Sequence, residues 1–205
     1  MFKLFEAKKA YYQGLEFLVY EDVYQPAEDS YLVADNLVVR NSEEVLDIGT
    51  GCGIIAILAA RKARRVIAVD IDEVAVECAK ENVKRHGLEA KVEVRLGDLF
   101  NPLHPWEKFD LIVFNPPYLP VENGIKAWSG GVNGRAVIDK FLSEVKRFLK
   151  PHGRILLLQS SLSDIEKTFT ILKDLNFKFK VIASRDFFFE RLVLIEAEVS
   201  SESFV

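Results

Sequence analysis

The chain has 205 residues, 49% of them hydrophobic and 28% charged, with a formal net charge of -4. That size suits one domain, residues 1–205, with a sizeable core and a well-solvated surface. No apolar run reaches the roughly 18 residues a membrane helix needs, and lysines and arginines are interleaved with acids, as in EKFD and KENVKRHG, which argues against a nucleic-acid partner.

The opening stretch MFKLFEAKKAYYQG is too charged for a secretory signal, so a cytoplasmic location is expected. The two cysteines, Cys52 and Cys78, form no CxxC pair, which argues against a metal site and a disulfide framework and fits reduced thiols. His86, His104 and His152 read as surface or loop residues. GLEFLVYEDVYQP, 14–26, reads as a short hairpin and AEDSYLVADNLVV, 27–39, as a helix with one apolar face. From residue 45 short apolar runs alternate with helical periodicity. Strands are expected at 45–49, 65–71, 91–98, 109–115 and 153–161. Helices are expected at 54–63, 73–87 (closed by Gly87), 135–151 (ended by Pro151) and 163–176. Residues 179–199 read as two strands joined by a turn near Arg185 to Glu190. Such alternation implies an α/β fold: a doubly wound, mostly parallel sheet with helices on both faces and an antiparallel hairpin at one edge.

VLDIGTGCGIIAILAA is strand, glycine loop, helix. The loop falls at the carboxyl end of the first parallel strand, where open α/β sheets bind ligands. Gly49, Gly51 and Gly53 let backbone approach a ligand, but the spacing is GxGxG and not the GxGxxG of dinucleotide sites. Asp47, two residues before the first glycine, would repel a pyrophosphate and suit a cation. S-adenosylmethionine carries a sulfonium and an ammonium and no phosphate. Asp70 and Asp98 close the next two strands. Asp70 is placed to accept ribose hydroxyls, and Asp98 to accept from an adenine amine with Leu99 against the ring. Any one of these acids alone reads as well as a helix N-cap. Three at successive strand ends, beside a glycine loop, point to a nucleoside site.

FDLIVFNPPYLP poses a different question. A buried strand stops on Asn115, Pro116, Pro117 and Tyr118. Proline cannot continue a central ladder and pushes the preceding residue out of the helical region. The strand end is therefore rigid and extended, with an amide and a ring fixed beside it.

This constellation resembles the class I methyltransferases that use S-adenosylmethionine, for which Asn-Pro-Pro-Tyr marks methylation of a planar nitrogen. The flanks YQPAEDSYL (24–32) and AWSGGVNGRAVIDKFL (127–142) resemble the archaeal and eukaryotic release factor glutamine methyltransferases of the HemK-like group, over about Tyr20 to Val199. The resemblance implies a seven-stranded Rossmann-like sheet, with residues 1–44 as a hairpin and helix cap over the cofactor site. It implies that Ser30, Asp47, Gly49, Thr50, Gly51, Gly53, Asp70, Ile71, Asp98, Leu99 and Asn115 line the cofactor, with Pro26, Glu28 and Asp29 closing over it. Asn115, Pro117 and Tyr118 would meet the substrate, and Asn115, Pro116, Pro117 and Tyr118 form the catalytic frame. The implied substrate is the glutamine of the Gly-Gly-Gln tip of a class 1 termination factor, with a small zinc-binding protein as activator. Two rival functions stand beside it: methylation of an exocyclic amine in nucleic acid, and a non-catalytic cofactor-binding subunit. The glycine-bearing loop 119–134 reads as a substrate-facing segment, with Trp128 either a substrate contact or packed on the rim. KVEVRLG (91–97) is expected at the free edge of the sheet, where its charges protect the edge or a partner adds a strand.

Overall fold

The computed structural model describes residues 7–118, 131 and 133–199. Residues 1–6, 200–205 and most of loop 119–134, Trp128 included, lie outside the described residues.

The chain opens with strands β1 (Ala7–Tyr12) and β2 (Leu15–Tyr20), then helix α1 (Glu28–Asp35). The alternation follows as β3 (Glu44–Ile48), α2 (Ile54–Ala60), β4 (Arg65–Asp70), α3 (Glu73–Arg85), β5 (Val92–Leu96) and β6 (Phe109–Phe114). Helix α4 (Ala136–Glu144) leads to β7 (Leu149–Ser160), α5 (Ile165–Asp174), β8 (Phe177–Asp186) and β9 (Arg191–Val199). Seven strands form one sheet in the order β5-β4-β3-β6-β7-β9-β8, parallel except for β9, which runs antiparallel to β7 and β8. The order reverses between β3 and β6, and a crevice opens beyond the carboxyl ends of strands at such a reversal.

Side chains along each central strand alternate between two cores. Val45, Val66, Leu111 and Val113 pack with α1, α2 and α3 on one face. Leu46, Ile67, Ile112 and Phe114 pack with Ile138, Phe141 and Leu142 of α4 on the other. This two-sided burial is why the strands read as near-continuous apolar runs.

Three expectations are corrected. The N-terminal hairpin is built from β1 and β2 around Gln13-Gly14, both at positive φ (47° and 79°), and not within 14–26. Two adjacent positive-φ residues match the twist of a tight hairpin. Helix α4 stops at Glu144 and tightens into a 3-10 turn at Val145–Phe148. Pro151 ends no helix; it lies in an irregular stretch of β7, between the pairings of Leu149 with Phe109 and Arg154 with Leu111. His86 lies as expected in a loop position, the turn that closes α3, half-buried with Nε2 3.0 Å from the Glu16 carbonyl oxygen.

The hairpin is fastened to the main sheet's helices by a side chain. Asn82, fully buried on α3, accepts from the Leu18 N–H (2.8 Å) and donates to the carbonyls of Leu18 (2.7 Å) and Cys52 (2.8 Å). Both cysteines are buried and free, and burial pushes their thiols up to about 12 for Cys52 and about 11 for Cys78. Among the described residues no helix is long and apolar enough to cross a membrane.

Candidate active site

A cavity of about 1230 Å³ lies at the carboxyl ends of β3, β4 and β6. Its floor is the glycine loop. The N–H groups of Gly49 and Thr50 donate to the Val69 carbonyl (2.8 and 3.0 Å), and that of Gly51 donates to Asp70 Oδ2 (2.8 Å). The loop is thus pinned to the end of β4. Asp47 is buried beneath it and accepts from the Thr50 hydroxyl at 2.7 Å. Burial pushes the Asp47 carboxyl up to about 7; the Thr50 bond opposes this and the neighbouring Asp70 adds to it. Burial also raises Asp70, against the hydrogen bonds it accepts from the Asp72 and Gly51 backbone.

The capping explanation fails on geometry for Asp70 and Asp98. Asp72, not Asp70, caps α3, accepting from Val74 N–H at 2.8 Å. Helix α2 starts after Gly53, which has no side chain to cap it, and Asp47 instead accepts from the Ala56 N–H in its first turn. Asp98 precedes a turn and accepts from Lys140 Nζ of α4 at 2.5 Å. After it, Leu99 is buried at a φ of 50°. A branched side chain in that left-handed region is strained, which is typical of functional sites.

At the other end of the cavity, Asn115 follows the last residue of β6. Its Nδ2 donates to Asp29 Oδ2 at 3.0 Å. Asp29 is buried, and its Oδ1 accepts from the Tyr24 hydroxyl (2.8 Å) and the Ser30 N–H (2.6 Å). A carboxylate can only accept, so it fixes which way the Asn115 amide points. The Asn115 Oδ1 is buried and has no hydrogen-bond partner among the described residues. Burial, then the Asp29 and Glu190 carboxylates, raise the Tyr118 hydroxyl well above its ordinary value. Tyr24 is raised by the same causes, so both phenols are neutral at ordinary pH. The frame is braced from behind. A Cβ on Gly134 would lie 2.3 Å from the Tyr118 carbonyl oxygen, so only glycine admits this approach. The next residue, Arg135, is buried and donates to the Ser163 carbonyl, the Thr168 hydroxyl and Asp139.

The cavity brings together Pro26, Asp29, Ser30, Asp47, Gly49, Thr50, Gly51, Asp70, Ile71, Asp98, Leu99, Asn115, Pro116, Pro117 and Tyr118. Gly53 is left out: its φ is 86° and a Cβ there would press on Ala79 at 3.3 Å, so it serves the packing of α2 on α3. Glu28 is left out as well, being paired with Arg185 of β8. Asp29 does more than close the cavity, since it orients Asn115. Tyr24 and Glu190 were not foreseen. Tyr24 stands in the YQPAEDSYL segment, where its aromatic type was a usable signal; Glu190 sits in a hairpin turn and had none.

Eight acids line the cavity (Glu21, Asp22, Asp29, Asp47, Asp70, Asp72, Asp98 and Glu190), and no lysine or arginine does among the described residues. A phosphate-bearing ligand would be repelled. A cationic nucleoside fits: Asp47 and Asp70 have no countercharge among the described residues, and Ile71 and Leu99 are apolar walls.

Comparison with known proteins agrees. Residues 27–189 match the model of the Methyltransferase small domain family. A Methanocaldococcus jannaschii protein named as a protein N5-glutamine methyltransferase is 39% identical, over 90% of this chain and 96% of its own length. Methyltransferase HEMK2 of Homo sapiens is 35% identical, over 75% of this chain and 79% of its own. Among solved structures, Mtq2 from the E. cuniculi Mtq2-Trm112 complex, responsible for methylation of the eRF1 termination factor, superposes with a TM-score of 0.70. That pair is 24% identical, covers 87% of this chain and 99% of Mtq2, and shows a shared fold. The chain therefore belongs to the Methyltransferase small domain family, and its methyltransferase relatives make it an S-adenosylmethionine-dependent enzyme.

Proposed function

We propose that the enzyme methylates the side-chain amide nitrogen of the glutamine in the Gly-Gly-Gln motif of a class 1 translation termination factor, in the cytoplasm. The observation that carries this reading is the Asn115 carboxamide: Nδ2 held by Asp29, Oδ1 buried and unpartnered among the described residues. An unpartnered buried acceptor costs about 1–3 kcal/mol, so it is poised for a donor that arrives with substrate. A primary amide brings two N–H donors. Asn115 Oδ1 accepts one and the Pro116 carbonyl accepts the other, which fixes the plane of the amide. Tyr118 packs on that plane, and the two prolines hold the frame before substrate arrives, so orientation is supplied in advance. S-adenosylmethionine, when bound, supplies a methyl group on a cationic sulfur. Asp47 would face its positive charges, Asp70 its ribose and Asp98 its adenine amine, with Ser30, Gly49, Thr50, Gly51, Ile71 and Leu99 around it. The stretch from Glu21 to Pro26 and α1 would cap it. An N-methylated amide cation is acidic enough to lose its proton to water, so no histidine base is needed.

The acid-lined cavity disfavours the nucleic-acid rival. The intact Asp47, Asp70, Asp98 and Asn115 disfavour a non-catalytic subunit. The Mtq2-Trm112 assembly supports a partner protein, and we assign the small zinc-binding activator that the sequence resemblance implies to β5, which ends the sheet with no strand on its outer side among the described residues. The test offers labelled cofactor with termination factor, tRNA or duplex DNA in separate reactions. Label on the glutamine alone supports the reading; label on nucleic acid alone rejects it.

A further inference from the structure

The turn joining β8 to β9 carries a feature that the turn does not need. Phe187, Phe188 and Phe189 are consecutive and exposed, Phe188 by 91% and Phe189 by 84%. The turn is closed by the Phe187 N–H donating to the Glu190 carbonyl at 2.7 Å. Tight turns favour glycine, asparagine, aspartate or proline, and three phenylalanines supply none of that chemistry. Phe188 and Phe189 meet edge to face with ring centroids 4.5 Å apart, which keeps them together at the tip and open to solvent. Exposed aromatic clusters of this kind mark interaction surfaces.

Position says what the surface meets. Glu190, the last residue of the same turn, lines the amide end of the cavity, and its Oε1 is buried without a hydrogen-bond partner among the described residues. The hairpin packs against α1, which carries Asp29, and Arg185 of β8 pairs with Glu28. The tip therefore rises from the wall of the site where the target amide enters. Charge narrows the occupant. Arg185 is paired with Glu28 and Arg191 with Asp186 at 3.4 Å, so among the described residues no spare cation flanks the tip to hold phosphates. We propose that Phe187, Phe188 and Phe189 dock an apolar surface of the protein substrate beside its glutamine loop, with Glu190 accepting a main-chain N–H of that loop. This rests on the termination-factor reading. A Gly-Gly-Gln tip has one side chain to grip, so affinity must come from surface outside it, and buried aromatics are the usual anchors.

The test is the double variant Phe188→Ser/Phe189→Ser, assayed with intact termination factor. KM for the factor should rise at least about tenfold, the loss expected when an aromatic anchor is removed. The kcat should stay within about twofold and the cofactor Kd should not change. The Phe188→Leu/Phe189→Leu variant should recover most of the loss, since it keeps an apolar tip, and equal melting temperatures show that folding is intact. A parent that methylates the factor with the same KM as the Ser variant overturns the docking role alone. A parent that binds cofactor but leaves the factor unmethylated overturns the function reading and this role with it. Loss of a parent dimer in the Ser variant assigns the tip to a second copy of the chain instead. Loss of sedimentation with phosphatidylcholine–phosphatidylglycerol vesicles assigns it to a membrane instead.

Discussion

Cofactor affinity should fall with acid because of Asp47. Its carboxyl titrates near pH 7, held up chiefly by burial and in part by Asp70. A cationic ligand stabilises the ionised form, so binding releases a proton when the pH is near 7. If only the ionised form binds, about one molecule in eleven is competent at pH 6 and about ten in eleven at pH 8. Asp47 alone should therefore raise the Kd about tenfold from pH 8 to pH 6, or about 1.4 kcal/mol. The cofactor's own amino group, with a pKa of about 7.7–8.0, pulls the other way because it is more fully protonated in acid. The control is Asp47→Asn, which keeps the shape but cannot titrate; it should bind more weakly throughout and lack the acid-side loss. Calorimetry at pH 7 in two buffers of different ionisation enthalpy should show about half a proton released by the parent beyond that seen with Asn. Stability gives an independent sign. A buried acid with a raised pKa penalises the fold as the pH climbs from the ordinary carboxylate range through about 7. Without cofactor, Asp47→Asn should then melt higher than the parent at pH 8 and closer to it at pH 4. Parallel pH dependences of Kd in parent and variant would refute the reasoning.

Asp70→Ala should weaken cofactor binding by about 1.5–3 kcal/mol, the worth of one charged hydrogen bond; unchanged affinity by calorimetry removes Asp70 from the site. Asn115→Ala should keep most of the cofactor affinity and lower kcat by about 10²–10³, as for a lost preorganised contact at a transition state; near-normal turnover of the termination factor sinks that role. On the edge strand, Val94→Pro should remove one backbone donor and weaken binding of a small zinc-binding partner. If the variant melts like the parent and still holds such a partner, β5 is not the docking edge. If the parent works fully without a partner, the Arg65, Glu93, Arg95 and Glu107 ion pairs on that face are edge protection.

How much could be read in advance depended on range. The run from β3 to α3 was legible because glycine, proline and apolar period act over a few residues. Asn115 and its prolines were legible for the same reason. What Asp29 does was not, because its bond to Asn115 spans 86 positions and depends on α1 settling over the end of β6. Strand β1 escaped because it buries only Ala10, so its apolar period is nearly absent. The end of α4 was overshot because helical spacing continues through Phe148, where the chain has already tightened into a 3-10 turn and turned toward the sheet. Gly134 and Arg135 showed no purpose until the Tyr118 carbonyl and the Ser163 region came beside them.

Asn82 gives the molecule an unexpected kind of wiring. One carboxamide plays the part of a missing strand for Leu18 and, with the same nitrogen, holds the Cys52 carbonyl in the glycine loop. The glycine loop and the hairpin are therefore linked through one side chain, and the Leu18 amide, donating to Asn82 and not to the cavity, is the place to test whether they move together. Its exchange with heavy water would slow as the cofactor site fills. The same bond lets strain on the hairpin, a pull from a neighbouring protein for instance, reach the floor of the site through three atoms of a single side chain, without passing through the sheet.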